Sequence, residues 1–236
     1  MSTPKKIAIF GDSILKGVQL DPINKRLHIN NHIDYDMIGK IHSLEISNYS
    51  KLGCTVSKGY SLIEQRLNNK ALVCDAIIMD FGGNDCDFDW KAISEKPDDI
   101  HLPNTPIDVF IDTYRMIIDQ LNKKGIRPIL TTLPPLEPQK FFDWFCNGLD
   151  KENILRWLGS INAIYRAQEN YSRAVEKIAL ETNTMIIDIR GAFLQHKRVD
   201  ALICDDGTHP NTEGQRIITG AFMEFADRYL AAYIDL

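Results

Sequence analysis

The chain has 236 residues, 44% hydrophobic and 25% charged, with 27 Lys and Arg against 32 Asp and Glu for a formal charge of -5. This composition excludes a disordered polymer and offers no basic field for nucleic acid, and it suits a single domain over 1–236 with a substantial core. No window reaches the ~20 continuous apolar residues of a membrane span, and Ile7-Ala8-Ile9-Phe10 is too short for a secretory leader, so a cytoplasmic setting and a small ligand are expected.

In chain order, the first element is the apolar run from Lys6 to Phe10, ending at Gly11, the pattern of a parallel strand buried on both faces. His28 and His32 are four apart, but the intervening Ile-Asn-Asn reads as a loop, so they are not taken as a ligand pair. Met37, Ile38, Ile41 and Leu44 fall at helical spacing before a short strand around Glu45 to Asn48, and Leu62, Ile63 and Leu67 mark a second helix. Asp75 to Phe81 is a second strongly apolar strand. The stripe Ile107, Phe110, Ile111, Tyr114, Ile117, Ile118 and Leu121 is a helix stopped by Gly125, and the strand Arg127 to Leu133 follows. An aromatic-rich insertion at about 134–159 holds Phe141, Phe142, Trp144, Phe145 and Trp157 and reads as loop-rich. Such rings need something to pack against, which favours a mobile or interface-forming cover and allows a homo-oligomer through this segment. A helix from about Ile161 to Thr182, the strand Met185 to Ile189 and a last helix from about Thr212 to Ala232 complete the chain. Strands alternating with helices make an α/β, three-layer doubly wound sheet of about five parallel strands, whose ligands sit beyond the carboxyl ends of the strands.

Four short blocks stand at those ends. Gly11-Asp12-Ser13 follows the first strand and could hold a serine beside free backbone N–H groups. It is no phosphate cradle: Gly11 to Gly17 is one residue too long and Val18 stands where a lysine belongs. Asp206-Gly-Thr-His209 precedes the last helix; an imidazole can take a serine proton near neutral pH, and a carboxylate fixes its tautomer. Asp206 is the better partner, with Asp205 competing. Gly82-Gly83-Asn84-Asp85 offers close backbone approach and an uncharged amide donor, and Asn48 to Gly53 places a glycine after the second strand. Five cysteines without CxxC spacing read as reduced thiols, no HExxH is present, and Asp85, Asp87 and Asp89 lack the later positions of a calcium loop, so no metal is expected.

Taken together and in this order, the four blocks resemble the SGNH hydrolase superfamily, the GDSL esterases and lipases, over Lys6 to about Tyr229. The resemblance implies a flavodoxin-like sheet ordered 2-1-3-4-5 and ester hydrolysis through an acyl-enzyme, with no cofactor and a small-molecule ester as substrate. It implies Ser13 as nucleophile, His209 as general base and acid, Asp206 as its orienting partner, and an oxyanion hole of the Ser13 and Gly53 N–H groups with the Asn84 side chain. A carbohydrate O-deacetylase and a non-catalytic ligand-binding module of the same fold are the alternatives.

Overall fold

The computed structural model describes residues 4–30 and 32–230. In chain order its elements are β1 (Lys5–Gly11), β2 (Val18–Leu20), β3 (Leu27–Ile29), α1 (Tyr35–His42), β4 (Leu44–Asn48), α2 (Val56–Asn68) and β5 (Ala76–Asp80). Then come α3 (Trp90–Glu95), α4 (Ile107–Lys123), β6 (Arg127–Thr131), α5 (Pro138–Phe145), α6 (Lys151–Leu158) and α7 (Asn162–Thr182). β7 (Met185–Ile187), α8 (Ile189–Leu194) and α9 (Thr212–Phe225) follow, with a 3-10 turn at Val199–Leu202 and a π-helical turn at Ala226–Leu230.

Five strands pair in parallel in the order β4-β1-β5-β6-β7, which is 2-1-3-4-5 counted among the sheet's own members. Side-chain alternation explains why the central strands carry continuous apolar runs. In β1, Ile7 and Ile9 face a core shared with α1, α8 and α9, while Ala8 and Phe10 face the opposite core, filled by α2, α4 and α7. β5 divides the same way, Ala76 and Ile78 to one side, Ile77 and Met79 to the other. Each fully buried Ile or Met contributes about 1.5–3 kcal/mol, so both layers are held by the same strands.

Several expectations change. Ile29 belongs to β3, which pairs antiparallel with β2 and sets His28 opposite Gln19, so a hairpin replaces part of the expected loop; Asn31 lies outside the described residues. The last helix is broken at Phe225 by the π-helical turn, and residues 231–236, where it was expected to end, lie outside the described residues. The aromatic insertion is helical. Asp150 caps α6 by accepting from Asn153 N–H at 3.0 Å, and Gly159 ends it at φ +67°. Phe142, Cys146 and Ile154 are buried there with Trp90, Ile93 and Ile164 in a third apolar cluster, and Trp90 stacks on Phe145 with centroids 4.0 Å apart. The segment is therefore helical and not loop-rich, with a small core of its own. Among the described residues no helix is long and apolar enough to cross a membrane.

Candidate active site

β1 ends in the crevice beside the carboxyl ends of β4 and β5, and the chain turns sharply there. Gly11 pairs with Asp80, and a Cβ on it would lie 3.0 Å from the Asp80 Cβ and 3.2 Å from Ser50 Oγ, so strand contact leaves no room for a side chain. Asp12 closes the turn by accepting the Ile14 N–H at 2.8 Å, which sets Ser13 at the rim. Asn48 secures the turn from below, donating to the Leu15 carbonyl at 2.7 Å.

A loop from the far end of the chain meets that serine. Its base is closed by an isolated bridge between Ile203 and Pro210 and by Cys204 N–H donating to the His209 carbonyl at 2.8 Å. Asp206, 2% exposed, accepts the N–H groups of Thr208 and His209 on Oδ1 at 3.1 and 3.0 Å, and the His209 Nδ1–H on Oδ2 at 2.8 Å. His209 Nε2 is thereby left as an acceptor and lies 2.9 Å from Ser13 Oγ, which donates to it. Burial alone pushes the Asp206 carboxyl up, but the His209 ring and the two backbone donors more than offset it and hold it below the usual range. Asp205, the competing acid, turns outward to Lys25 at 2.8 Å, and that bond lowers its own carboxyl. A hydroxyl bonded to an imidazole whose other nitrogen is fixed by a buried carboxylate is an arrangement in which the ring can take the hydroxyl proton as the oxygen attacks a carbonyl carbon.

Asn84 reaches the same rim. Its amide donates one proton to Asp12 Oδ2 at 2.8 Å and directs the other, at a long 3.4 Å, toward the Cys54 carbonyl. Asp85 faces away: it is fully buried, its carboxylate accepts the Val56 N–H at the start of α2, and burial pushes it up to about 6. Gly53 is exposed, with φ +65°, and its carbonyl accepts from Lys58; it is not among the residues that line the crevice. Asp87 accepts the Trp90 indole N–H at 2.8 Å and Asp89 caps α3, so the three alternating acids serve three separate bonds, and of the three only Asp85 is buried.

Sequence reasoning did not single out Asp80, although a carboxylate closing an apolar strand was a visible signal. It is 2% exposed, takes the Thr131 hydroxyl at 2.7 Å on Oδ1, and leaves Oδ2 without a hydrogen-bond partner. Burial pushes Asp80 up to about 6, and burial followed by the charge of Asp80 raises Asp12 as well. Since both Asp12 oxygens accept N–H bonds, hydrogen bonding assigns the proton of this pair to Asp80 and the charge to Asp12.

From Ser13 and His209 a cavity of about 320 Å³ runs inward under the aromatic insertion, bounded by Leu133, Leu136, Phe141, Trp157 and Ile164. The insertion is bolted to the histidine loop. Glu137 N–H donates to the Gly207 carbonyl at 2.8 Å, and Lys140 Nζ donates to the carbonyls of Asp200 and Ile203, both at 2.8 Å. Gly207, at φ +77°, lies so close that a Cβ would come within 2.2 Å of the Phe141 nitrogen.

The GDSL-like lipase/acylhydrolase family model matches residues 9–217. No curated protein matches the chain. Among solved structures it is similar to a lipase/acylhydrolase from Enterococcus faecalis, at 17% identity and TM-score 0.66 over 95% of this chain and 96% of that one. It is also similar to LAE5, an α/β hydrolase from the metagenome of Lake Arreo, at 20% identity and TM-score 0.63 over 96% and 97%. Axe2, an acetylxylan esterase from Geobacillus stearothermophilus, aligns at 20% identity and TM-score 0.62 over 96% of both chains. At these identities the likeness is one of fold.

Proposed function

Because the chain belongs to the GDSL-like lipase/acylhydrolase family of ester-hydrolysing enzymes, we propose that it is a serine esterase working through an acyl-enzyme on Ser13. One observation carries this reading: Ser13 Oγ lies 2.9 Å from His209 Nε2 while His209 Nδ1 lies 2.8 Å from the buried Asp206. His209 takes the hydroxyl proton as Ser13 Oγ bonds to the ester carbonyl carbon, and Asp206 stabilises the imidazolium that forms. The tetrahedral intermediate expels the alcohol, which leaves with the proton from His209. Water then attacks the acyl-enzyme by the same route, releasing the carboxylic acid and restoring the serine.

The developing oxyanion needs donors held in place beforehand and not committed to strong bonds of their own. Asn84 suits this role because its short bond to Asp12 anchors the amide, while its second N–H is held only by the long contact to Cys54. The Ser13 and Gly53 N–H groups complete the proposed set, Gly53 through its neighbour Cys54, whose carbonyl faces the Asn84 amide. A purely ligand-binding role leaves the hydroxyl, ring and carboxylate chain without a purpose.

The test is hydrolysis of nitrophenyl esters by wild type beside Ser13→Ala. The expected result is a loss of about 10⁴-fold or more in kcat with an unchanged thermal midpoint. Equal rates in the two proteins would overturn the reading.

A further inference from the structure

We infer that the chamber beneath α5 and α6 is an acyl pocket for an aliphatic chain of medium length, about six to ten carbons, with Trp157 as a wall that sets the chain length. The inference rests on Ser13 being the acylated residue and concerns what it carries.

The geometry of the chamber excludes a sugar first. Its walls beyond the rim are the apolar side chains of Leu133, Leu136, Phe141, Trp157 and Ile164. The polar groups among them are already engaged. Gln168 donates its amide to the Pro134 carbonyl at 2.8 Å and accepts from Arg190 at 3.1 Å, and Asp87 is taken up by the Trp90 indole. The exception is Asp80 Oδ2, and it lies at the catalytic end, beside Asp12. A hydroxylated ring in the depth of the chamber would lose its hydrogen bonds to water and find few in return, whereas an alkyl chain loses nothing.

Volume then limits length. At the roughly 30 Å³ of a water-sized group, 320 Å³ holds at most about ten such groups, the reacting carbonyl at the rim included, so an acetyl group would leave most of the space unfilled. The walls are not loose. Trp157 is half-buried, set edge-on to Phe88 with centroids 5.0 Å apart and to Trp90 at 6.2 Å, and α5 is tied to the histidine loop through Glu137 and Lys140. A wall fixed in this way measures chain length, because a chain that is too long meets packed rings.

The experiment is kcat/KM across nitrophenyl acetate, butyrate, hexanoate, octanoate, decanoate and laurate. Burying each methylene is worth up to about four-fold, so kcat/KM should climb from acetate to a maximum at hexanoate to decanoate and fall at laurate. Trp157→Ala should move the maximum toward laurate. Should that variant fail to fold, octanoate and acetate binding to Ser13→Ala, followed by tryptophan fluorescence, serves instead, with octanoate expected to bind at least ten-fold more tightly. A preference for acetate, or for an acetylated xylo-oligosaccharide, would overturn the acyl pocket while leaving the serine esterase standing. Tight octanoate binding with no cleavage of any ester would support the pocket and overturn the esterase. Equal binding of the two acids would overturn the pocket whatever the kinetics.

Discussion

Asp206 and Phe142 are almost equally hidden from solvent, 2% and 3% exposed, and they are held in opposite ways. Asp206 sits in the histidine loop with three N–H donors converging on it, each fixed in direction. Phe142 sits in the aromatic insertion among rings and aliphatic chains, and contacts of that kind are individually weak and far less directional than hydrogen bonds. Burial at the rim therefore orients, whereas burial in the core of the insertion fills space. Damage at the first should appear in turnover with little loss of stability, and damage at the second in stability and substrate size with little loss of chemistry.

Asp206→Asn is the sharpest test of the rim. It keeps the volume but disturbs the tautomer and charge of His209, so kcat should fall about 10⁴-fold while calorimetry shows only a small shift of the midpoint. A fall of less than ten-fold would mean that the carboxylate is only a loop closure. Phe142→Ala probes the other side. Denaturant unfolding should show a loss of about 3–5 kcal/mol, with kcat on acetate esters largely kept in the folded fraction; a collapse of kcat there would erase the distinction. Asp80→Asn is the smallest and separates the two terms within one residue. Its carboxyl is raised to about 6 by burial, so between pH 4 and 6 the folded state keeps a proton that the unfolded chain has released, and stability declines as pH rises across that window. The variant should match wild type near pH 4 and be the more stable of the two at pH 7.5 in thermal or denaturant unfolding. No gain at pH 7.5 would mean that the buried acid is better solvated than its surroundings imply.

The rim was more legible in the sequence than the chamber, for a reason of range. Asp206 and His209 are three apart, so a tight turn brings them together with no knowledge of the rest of the fold, and Ser13 and Asn84 follow apolar strands whose carboxyl ends must share one edge. The choice of Asp206 over Asp205 was legible only as a preference, since the bond from Lys25 that draws Asp205 outward spans a separation no local pattern carries. The hairpin of β2 and β3 escaped because its strands are three residues each, too short for a period. α5 and α6 escaped for a different reason. Their boundaries were written in Glu137-Pro138, Asp150 and Gly159, but aromatic residues on several faces obscured the helical stripe between those signals. Asp80 was visible as a residue and invisible as a buried acid with one oxygen left unpaired, which is a property of the packed state alone.

The bond from Glu137 to the Gly207 carbonyl and the grip of Lys140 on Ile203 make the insertion and the histidine loop inherit one another's errors. A relative of this chain cannot lengthen or exchange α5 at its start without moving the loop that carries His209, because Gly207 leaves no clearance against Phe141. More room lies past the other end of α5, at Gly148, where nothing stands within 4 Å of the position of a Cβ, although φ +79° keeps that residue itself a glycine. Evolution and engineering alike should find that end of the insertion the place to splice when a different guest is wanted.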